Sequence, residues 1–598
     1  MLQLDRAPHL LLALFFVLLP LIFLLASCTD ATSGTSGDEA GAPHSHGPAA
    51  EHSHADLPSM APSAYPDRIV LNWAQDPSST LSVTWRTAPS VTGAKAQIAP
   101  ARAAPSFYTE ARMVSAETTT LPASQVDQAN VAAQYHSVTF EGLEPDSLYA
   151  YRVGDGTHWS EWIHARTAAA EPEPFSFIYL GDAQNNIRSH WSRLIRQAYS
   201  GASSVSFMLH AGDLVNNAHR NLEWGHWNEA GGFIQSMVPN VPVPGNHEYE
   251  GYEHWTEQDT FAVEVEASGQ GLTGTIVEPG GDSEPLEATS ADASPSSDAY
   301  PAGNWDYNVD NGDYTGTLQI EQGSPGYSAR MVTDDGTALP LQNVSVDGNT
   351  LTGEFLMEVE KESEEKLSVH WRPQFALPTN GPEGLEETVY YLDHQGMRVI
   401  GLNSEAARND DGVLATQTEW LRSTLRDAGQ DPDIRWTVAT FHHPMFSSGE
   451  GRSNERLRNE WRPIFDEYNV DLVMQGHDHT YARGQAKNLT QGVNARSPRG
   501  GTVYVNSVSG AKMYEIKPDR WGRFDGIEME RGAENTQLYQ VVRVGRDTMR
   551  YRSYTATGTP YDAFDLVKRP GEPNEMIEHD VADTPERTHE NTIDYTRP

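Results

Sequence analysis

Six residues of metal-ligating type each close an apolar run. Asp182 ends FSFIYLGD, Asp213 ends VSFMLHAGD, Asn246 ends VPVPGN, His442 lies in RWTVATFHH, and His477 and His479 follow VDLVMQG. Carboxylate, amide and imidazole are the donors that divalent or iron-type cations take, and Mn, Zn and Fe all suit such a mixture. A glycine stands before four of the runs' terminal residues, at 181, 212, 245 and 476, where it lets the backbone turn tightly. Each motif alone is weak, because Asp and Asn also tolerate the backbone angles of ordinary turns. The recurrence of the pattern is what calls for explanation.

The spacing describes the elements that must carry these residues. Asp182, Asp213 and Asn246 are 31 and 33 residues apart, and His442 and His477 are 35 apart, about the length of a strand–helix–strand unit. Helix-like stretches such as IRSHWSRLIRQAY lie between the apolar runs. Strands spaced this way predict a largely parallel sheet with helices on its faces, and all the strand ends then share the edge where open α/β sheets bind ligands.

In order and type, GD182, GD213, GN246-H247, H442 and GH477-D-H479 resemble the metallophosphoesterase (calcineurin-like) pattern. The resemblance implies an αββα sandwich and a dinuclear site that stabilises both the attacking and the leaving oxygen of an in-line displacement. It assigns a bridging carboxylate to Asp213, one metal to Asp182 and His479, and the other to Asn246, His442 and His477. His247 would bond a nonbridging oxygen or protonate the leaving group. His443 is left out of the ligand set. The implied activity is hydrolysis of phosphate monoesters of small molecules by a metal-bound hydroxide. A phosphodiesterase or nucleotide pyrophosphatase with the same site, or a non-catalytic surface-binding lipoprotein, are the alternatives.

Within that superfamily the likeness is to purple acid phosphatases, over most of residues 65 to 566. Residues 65–168 alternate apolar and polar with period two (RIVLNWA, TLSVTWRT, YHSVTFEGL, LYAYRVG) and resemble a fibronectin type III module, the amino-terminal domain of that family. Trp85 is then a core residue and Tyr149 a tyrosine corner, its hydroxyl returned to nearby backbone. Residues 172–566 form the catalytic domain, in which GHDHTYAR and FHHPMF match the family's signatures. One departure matters: the family's tyrosine three residues after the bridging aspartate is Asn216 here. Asn216 and Gln184 are candidates for the extra ligand in its place, and a colourless enzyme with two divalent or iron-type ions is expected.

A second departure is an insertion. Residues 262–366 read as an acidic, Pro/Gly/Ser-rich linker followed by a β module of about 65 residues with DG and NG turns, departing just after His247. It is either a substrate-selecting lid or a decoration. GTVYVNSVSG supplies one more strand, QLYQVVRVGRDTMRYRSYTATG a closing hairpin, and residues 570–598, acidic and without an apolar run, a disordered tail.

The amino terminus concerns location. Arg6 precedes LLLALFFVLLPLIFLLAS, which ends at Cys28, the chain's only cysteine. Residues 1–27 have the layout of a signal peptide. Leu25-Ala26-Ser27-Cys28 resembles a bacterial lipobox, implying lipidation of Cys28 and an exported protein anchored to the cell envelope. The other reading is an uncleaved membrane anchor. Residues 28–64 read as a tether whose His44, His46, His52 and His54 could collect metal loosely. With 42 basic against 83 acidic residues the net charge is −41. That excludes gripping nucleic acid through its phosphates.

Overall fold

The computed structural model describes residues 60–122, 132–250, 254–268, 271–277, 283–290, 302–309, 314–324, 326–333, 336–362, 366–449, 452, 454–487, 501–524, 526–569, 574–581 and 584–587. The expected signal peptide, Cys28 and the tether histidines lie outside these residues. Among the described residues no helix is long and apolar enough to cross a membrane.

The first element of the fold is a sandwich of two four-stranded antiparallel sheets. One orders 67–72, 81–87, 133–140 and 117–121; the other orders 112–115, 95–100, 148–154 and 163–166. Val83, Trp85, Tyr151 and Val153 are fully buried between them. The Tyr149 hydroxyl accepts a hydrogen bond from the Glu144 N–H at 2.9 Å, the tyrosine-corner contact expected from the sequence. The sandwich is fixed to the catalytic domain by polar bonds: Asn72 Nδ2 donates to Asn240 O at 2.8 Å, and the buried Arg68 donates to Asn221 O at 2.9 Å.

Five strands lead to the residues singled out above: β1 (Phe175–Leu180), β2 (Phe207–His210), β3 (Asn240–Pro242), β4 (Trp436–Thr440) and β5 (Leu472–Gln475). They do not share one largely parallel sheet. β3, β2 and β1 are parallel neighbours in a seven-stranded sheet that continues antiparallel through 538–544, 548–555, 560–567 and 575–578. β4 and β5 belong to a second sheet ordered 390–394, 397–401, β4, β5, 503–506, 481–485 and 531–533. The apolar runs are continuous because both strand faces are buried. Val438, Leu472 and Met474 belong to the core they share with the first sheet, whereas Ala439 and Val473 pack with Leu421, Leu425, Trp461 and Phe465 of the helices Asp411–Gln430 and Glu455–Tyr468. The Tyr179 hydroxyl ties the sheets together, donating to Gln475 O and accepting from Gln475 N–H.

Residues 251–364 form a separate compact unit. It is a nine-stranded antiparallel sheet, larger than the sequence reading allowed: strands run from His254 to Glu362, and the supposed linker contains Gly271–Val277 and Ser283–Ser290. Its inward positions alternate strictly, with Val263, Val265, Leu272, Leu286, Trp305, Leu318, Leu351 and Phe355 in one core. The outward positions are largely Glu, Thr and Ser, which is why the composition read as linker. The long first and last strands pair from His254↔Glu362 to Glu266↔Thr350, so the insertion leaves and returns at one place in the chain.

The tail is also corrected in part. Residues 575–578 pair with 564–567, and Arg587 N–H donates to the Tyr561 hydroxyl at 2.9 Å. Backbone pairing, Met576 packed against the core and ion pairs hold this segment: the buried Arg483 donates to Glu578 at 2.8 Å and Arg569 pairs with Glu575 at 2.6 Å.

Candidate metal centre

The loops after the five strands converge. Four of the six candidate ligands adopt positive φ, Asp182 at 36°, Asp213 at 52°, His477 at 75° and His479 at 48°, a conformation costly for non-glycine residues and held only where surroundings impose it. The preceding glycines mostly serve a different purpose from the turn expected of them. A Cβ at Gly245 would stand 2.2 Å from Asp213 Oδ1, and one at Gly476 2.5 Å from Asp182 Oδ2. Those two glycines supply space, and the ligands bear the strain.

Ligand atoms of Asp182, Asp213 and His479 lie within 4.8 Å of one another, all buried. His479 Nδ1–H donates to Lys512 O at 2.9 Å, which leaves the Nε2 lone pair facing Asp182 Oδ1 at 3.8 Å. His442 Nδ1–H likewise donates to Ala211 O at 2.9 Å. Its Nε2 therefore faces Asp213 Oδ2 at 3.1 Å, Asn246 Oδ1 at 3.2 Å and His477 Nδ1 at 3.2 Å, while His477 Nδ1 is 3.0 Å from Asn246 Oδ1. Acceptor atoms crowd together on both sides of Asp213, which touches each set. Such an arrangement is repulsive unless a proton or a cation sits among the lone pairs, and the donor set fits two metal ions with Asp213 between them.

The electrostatics agree. Burial alone would lower His442, but Asp213 and Asp182 raise it to about 9, so the pocket favours positive charge at that nitrogen. Burial pushes Asp182 up to about 8, opposed by His442 and reinforced by Asp213. Asp213 lies well below the usual carboxylate range despite burial, because His442 and His247 face it. Burial also depresses His477 and His479, the latter to about 3, keeping their lone pairs available.

The remaining candidates separate. Asn216 Oδ1 accepts from Asn185 Nδ2 at 2.6 Å, so its side chain is occupied elsewhere. Gln184 lies inside the cluster: Nε2 is 2.5 Å from Asp213 Oδ2 and 3.4 Å from His479 Nε2, and the buried Oε1 has no hydrogen-bond partner among the described residues. A half-turn of the amide would present that oxygen to a cation beside Asp213. His247 donates its backbone N–H to Asp213 Oδ1 at 3.0 Å and Nδ1–H to Asn216 O at 2.7 Å. His443 packs its ring 4.4 Å from that of His477, but its Nδ1 is bonded to Ser404 Oγ at 3.0 Å and its Nε2 lies 3.0 Å from Arg408 and 3.2 Å from Glu405.

Comparison with family models assigns residues 175–481, just over half of the chain, to "Calcineurin-like phosphoesterase". The chain belongs to the calcineurin-like phosphoesterase family. Residues 66–167 match "Purple acid Phosphatase, N-terminal domain". Among curated proteins, an uncharacterized protein of Mycobacterium tuberculosis strain H37Rv is 31% identical over 139 residues, 21% of this chain and 26% of the relative. Purple acid phosphatase 15 of Arabidopsis thaliana is 31% identical over 130 residues, 21% of this chain and 23% of that protein. The match thus spans about a quarter of the length of these relatives. A purple acid phosphatase from yellow lupin seeds has the same fold, with a TM-score of 0.54 at 15% identity over 84% of this chain and 74% of that one.

Two residues of this phosphoesterase centre escaped the sequence reading. Glu248 is fully buried and accepts backbone N–H groups of Asp213, Leu214, Val215 and Gly245, at 2.9, 2.7, 3.3 and 2.7 Å. Burial and the Asp213 charge push it up to about 7 against the pull of those donors. Asp478, between the two histidines, accepts from Ser447 Oγ at 3.1 Å and Ser448 N–H at 2.7 Å, tying the 447–449 loop to the His477–His479 turn. The only sequence signal for either was its position inside a ligand motif.

Proposed function

We propose that this protein is a phosphatase with two metal ions that hydrolyses phosphate monoesters of small molecules, exported and held to the bacterial envelope through lipidated Cys28. The single observation supporting the chemistry is the convergence of lone pairs on either side of Asp213. Asp182, Asp213 and His479, with Gln184 rather than Asn216 as the extra donor, would hold one ion. Asp213, Asn246, His442 and His477 would hold the other. When bound, the pair supplies an activated water and offsets charge on the phosphoryl oxygens.

The chain's own residues do the rest. Backbone bonds to Glu248 hold the Asp213 loop, and the carbonyls of Ala211 and Lys512 fix the tautomers of His442 and His479. The Asn216 carbonyl accepts from His247 Nδ1–H and so fixes the ring's orientation, leaving Nε2 to bond a phosphoryl oxygen or the leaving group. The lipid anchor rests on the arrangement of residues 1–28. The missing tyrosine at 216 supports a colourless protein, and a visible charge-transfer band in the metallated form would contradict it.

The test is hydrolysis of para-nitrophenyl phosphate against its bis-ester, by metal-reconstituted protein and by Asp213→Ala, across about pH 5 to 9, where histidine and bound water titrate. Monoester turnover lost in the variant supports the reading. Preference for the bis-ester moves the protein to the diesterases, and no turnover of either with metal bound overturns a catalytic role.

A further inference from the structure

One aromatic ring beyond His479 lies a feature that neither the ligand set nor His247 explains. Tyr514 packs edge-on against His479, ring centroids 4.8 Å apart. Two cations lie over that same ring: Arg452 Cζ at 4.8 Å and Lys512 Nζ at 5.6 Å from its centroid. Both residues are tied to the centre, Arg452 through its side chain and Lys512 through its backbone carbonyl. Arg452 NH1 donates to His477 O at 2.7 Å, and Lys512 O accepts from His479 Nδ1 at 2.9 Å.

On a molecule of net charge −41, two positive groups lie over one tyrosine at the rim of the centre. Among the described residues the acid paired with Arg452 is Asp478, at 3.9 Å, fully buried and already accepting from Ser447 and Ser448. Lys512 makes no ion pair among the described residues. Two bound metal ions would balance the ligand carboxylates Asp182 and Asp213 without Lys512, whereas Arg452 also acts on Asp182 through its charge. Arg452 is 28% exposed, enough to meet a ligand while its bond to His477 O and its stacking on Tyr514 keep it in place.

Resting on the phosphatase reading above, we propose that Arg452, Lys512 and Tyr514 form a subsite for a second phosphate group of the substrate, so that the preferred class is a small molecule carrying two phosphates, one hydrolysed and one gripped. Arg presents a planar fork and Lys a mobile point charge, a pairing suited to a dianion of variable orientation. The Tyr514 ring orders both cations by cation–π contact before the substrate arrives, which reduces the entropy lost on binding.

The experiment has one arm with turnover and one without. In the first, kcat/KM is measured for fructose 1,6-bisphosphate and for para-nitrophenyl phosphate with wild type, Lys512→Gln, Lys512→Arg and Arg452→Gln. A charge-assisted contact predicts that the ratio of the two kcat/KM values falls about tenfold in Lys512→Gln, chiefly through KM, and is restored in Lys512→Arg. Equal loss for both substrates would overturn the subsite and leave the cations a structural role. In the second, calorimetry compares propane-1,3-bisphosphonate with propylphosphonate on the metal-loaded protein. Tighter binding of the bisphosphonate that Lys512→Gln abolishes supports the subsite even if neither ester is cleaved, which would count against the monoesterase reading alone. Equal affinities in wild type overturn it.

Discussion

At the scale of single residues, the centre depends on groups that never touch a substrate. Glu248 gathers four backbone N–H groups from two loops, one carrying Asp213 and the other Asn246. Glu248→Gln would turn part of an NH2 group toward those donors, at a cost of roughly 2 to 4 kcal/mol in urea unfolding. A loss below about half a kcal/mol would show that the loops hold without it. His247 calls for the opposite outcome: His247→Ala should leave metal content and stability intact but lower kcat about a hundredfold, the range expected of one positioned proton donor. Turnover within about twofold of wild type would remove that role. Ligand types were legible in the sequence because coordination restricts them to a few side chains. Glu248 and Asp478 were not, because they bind backbone N–H groups, which every residue but proline offers.

Elements were legible one strand at a time. FSFIYL and LVMQ are buried on both faces, so their composition announced strands, yet nothing in a doubly buried run says which neighbour it pairs with. That is why strand spacing alone suggested one sheet, whereas the resemblance implied the two sheets of an αββα sandwich that are found. The pleated insertion strands were missed for the converse reason: half of each strand faces solvent and carries Glu, Thr or Ser. On the catalytic side, helix Glu455–Tyr468 contains a misfit with a measurable consequence. Asp466 is 13% exposed, its nearest cation is Arg462 at 3.7 Å, and burial raises its pKa from 3.8 to about 6. The folded state therefore binds this proton more tightly than the unfolded state. Its contribution to stability is full below about pH 3.8 and is lost as pH rises through about 6. Asp466→Asn should accordingly stabilise the protein by about 1 to 2 kcal/mol at pH 8 and by nothing at pH 4, in chemical unfolding. An equal effect at both pH values would refute the assignment.

The molecule as a whole combines a sandwich and catalytic domain sharing one core with an insertion that has a core of its own. Because Tyr249 pairs with Leu367 and His254 with Glu362, the insertion is closed at its base by backbone pairing. Replacing 254–362 by a short Gly-Ser turn should leave the melting temperature of the remainder within about 3 °C of wild type. If relative rates across a substrate panel are also unchanged, the insertion is not a selecting lid.

Net charge sets a different kind of selectivity, acting before contact. At about 0.01 M salt the Debye length is roughly 30 Å, so much of the −41 charge repels an approaching anion; at 0.15 M it is about 8 Å and most of that field is gone. Groups that touch the ligand, such as Arg452 and Lys512, are screened far less than distant ones. Raising salt across this range therefore removes repulsion before it weakens the local grip. kcat/KM for a two-phosphate substrate should rise, and by more than for para-nitrophenyl phosphate, because the repulsion scales with substrate charge. A fall for the more charged substrate would mean that local cations, not the acidic surface, control its approach.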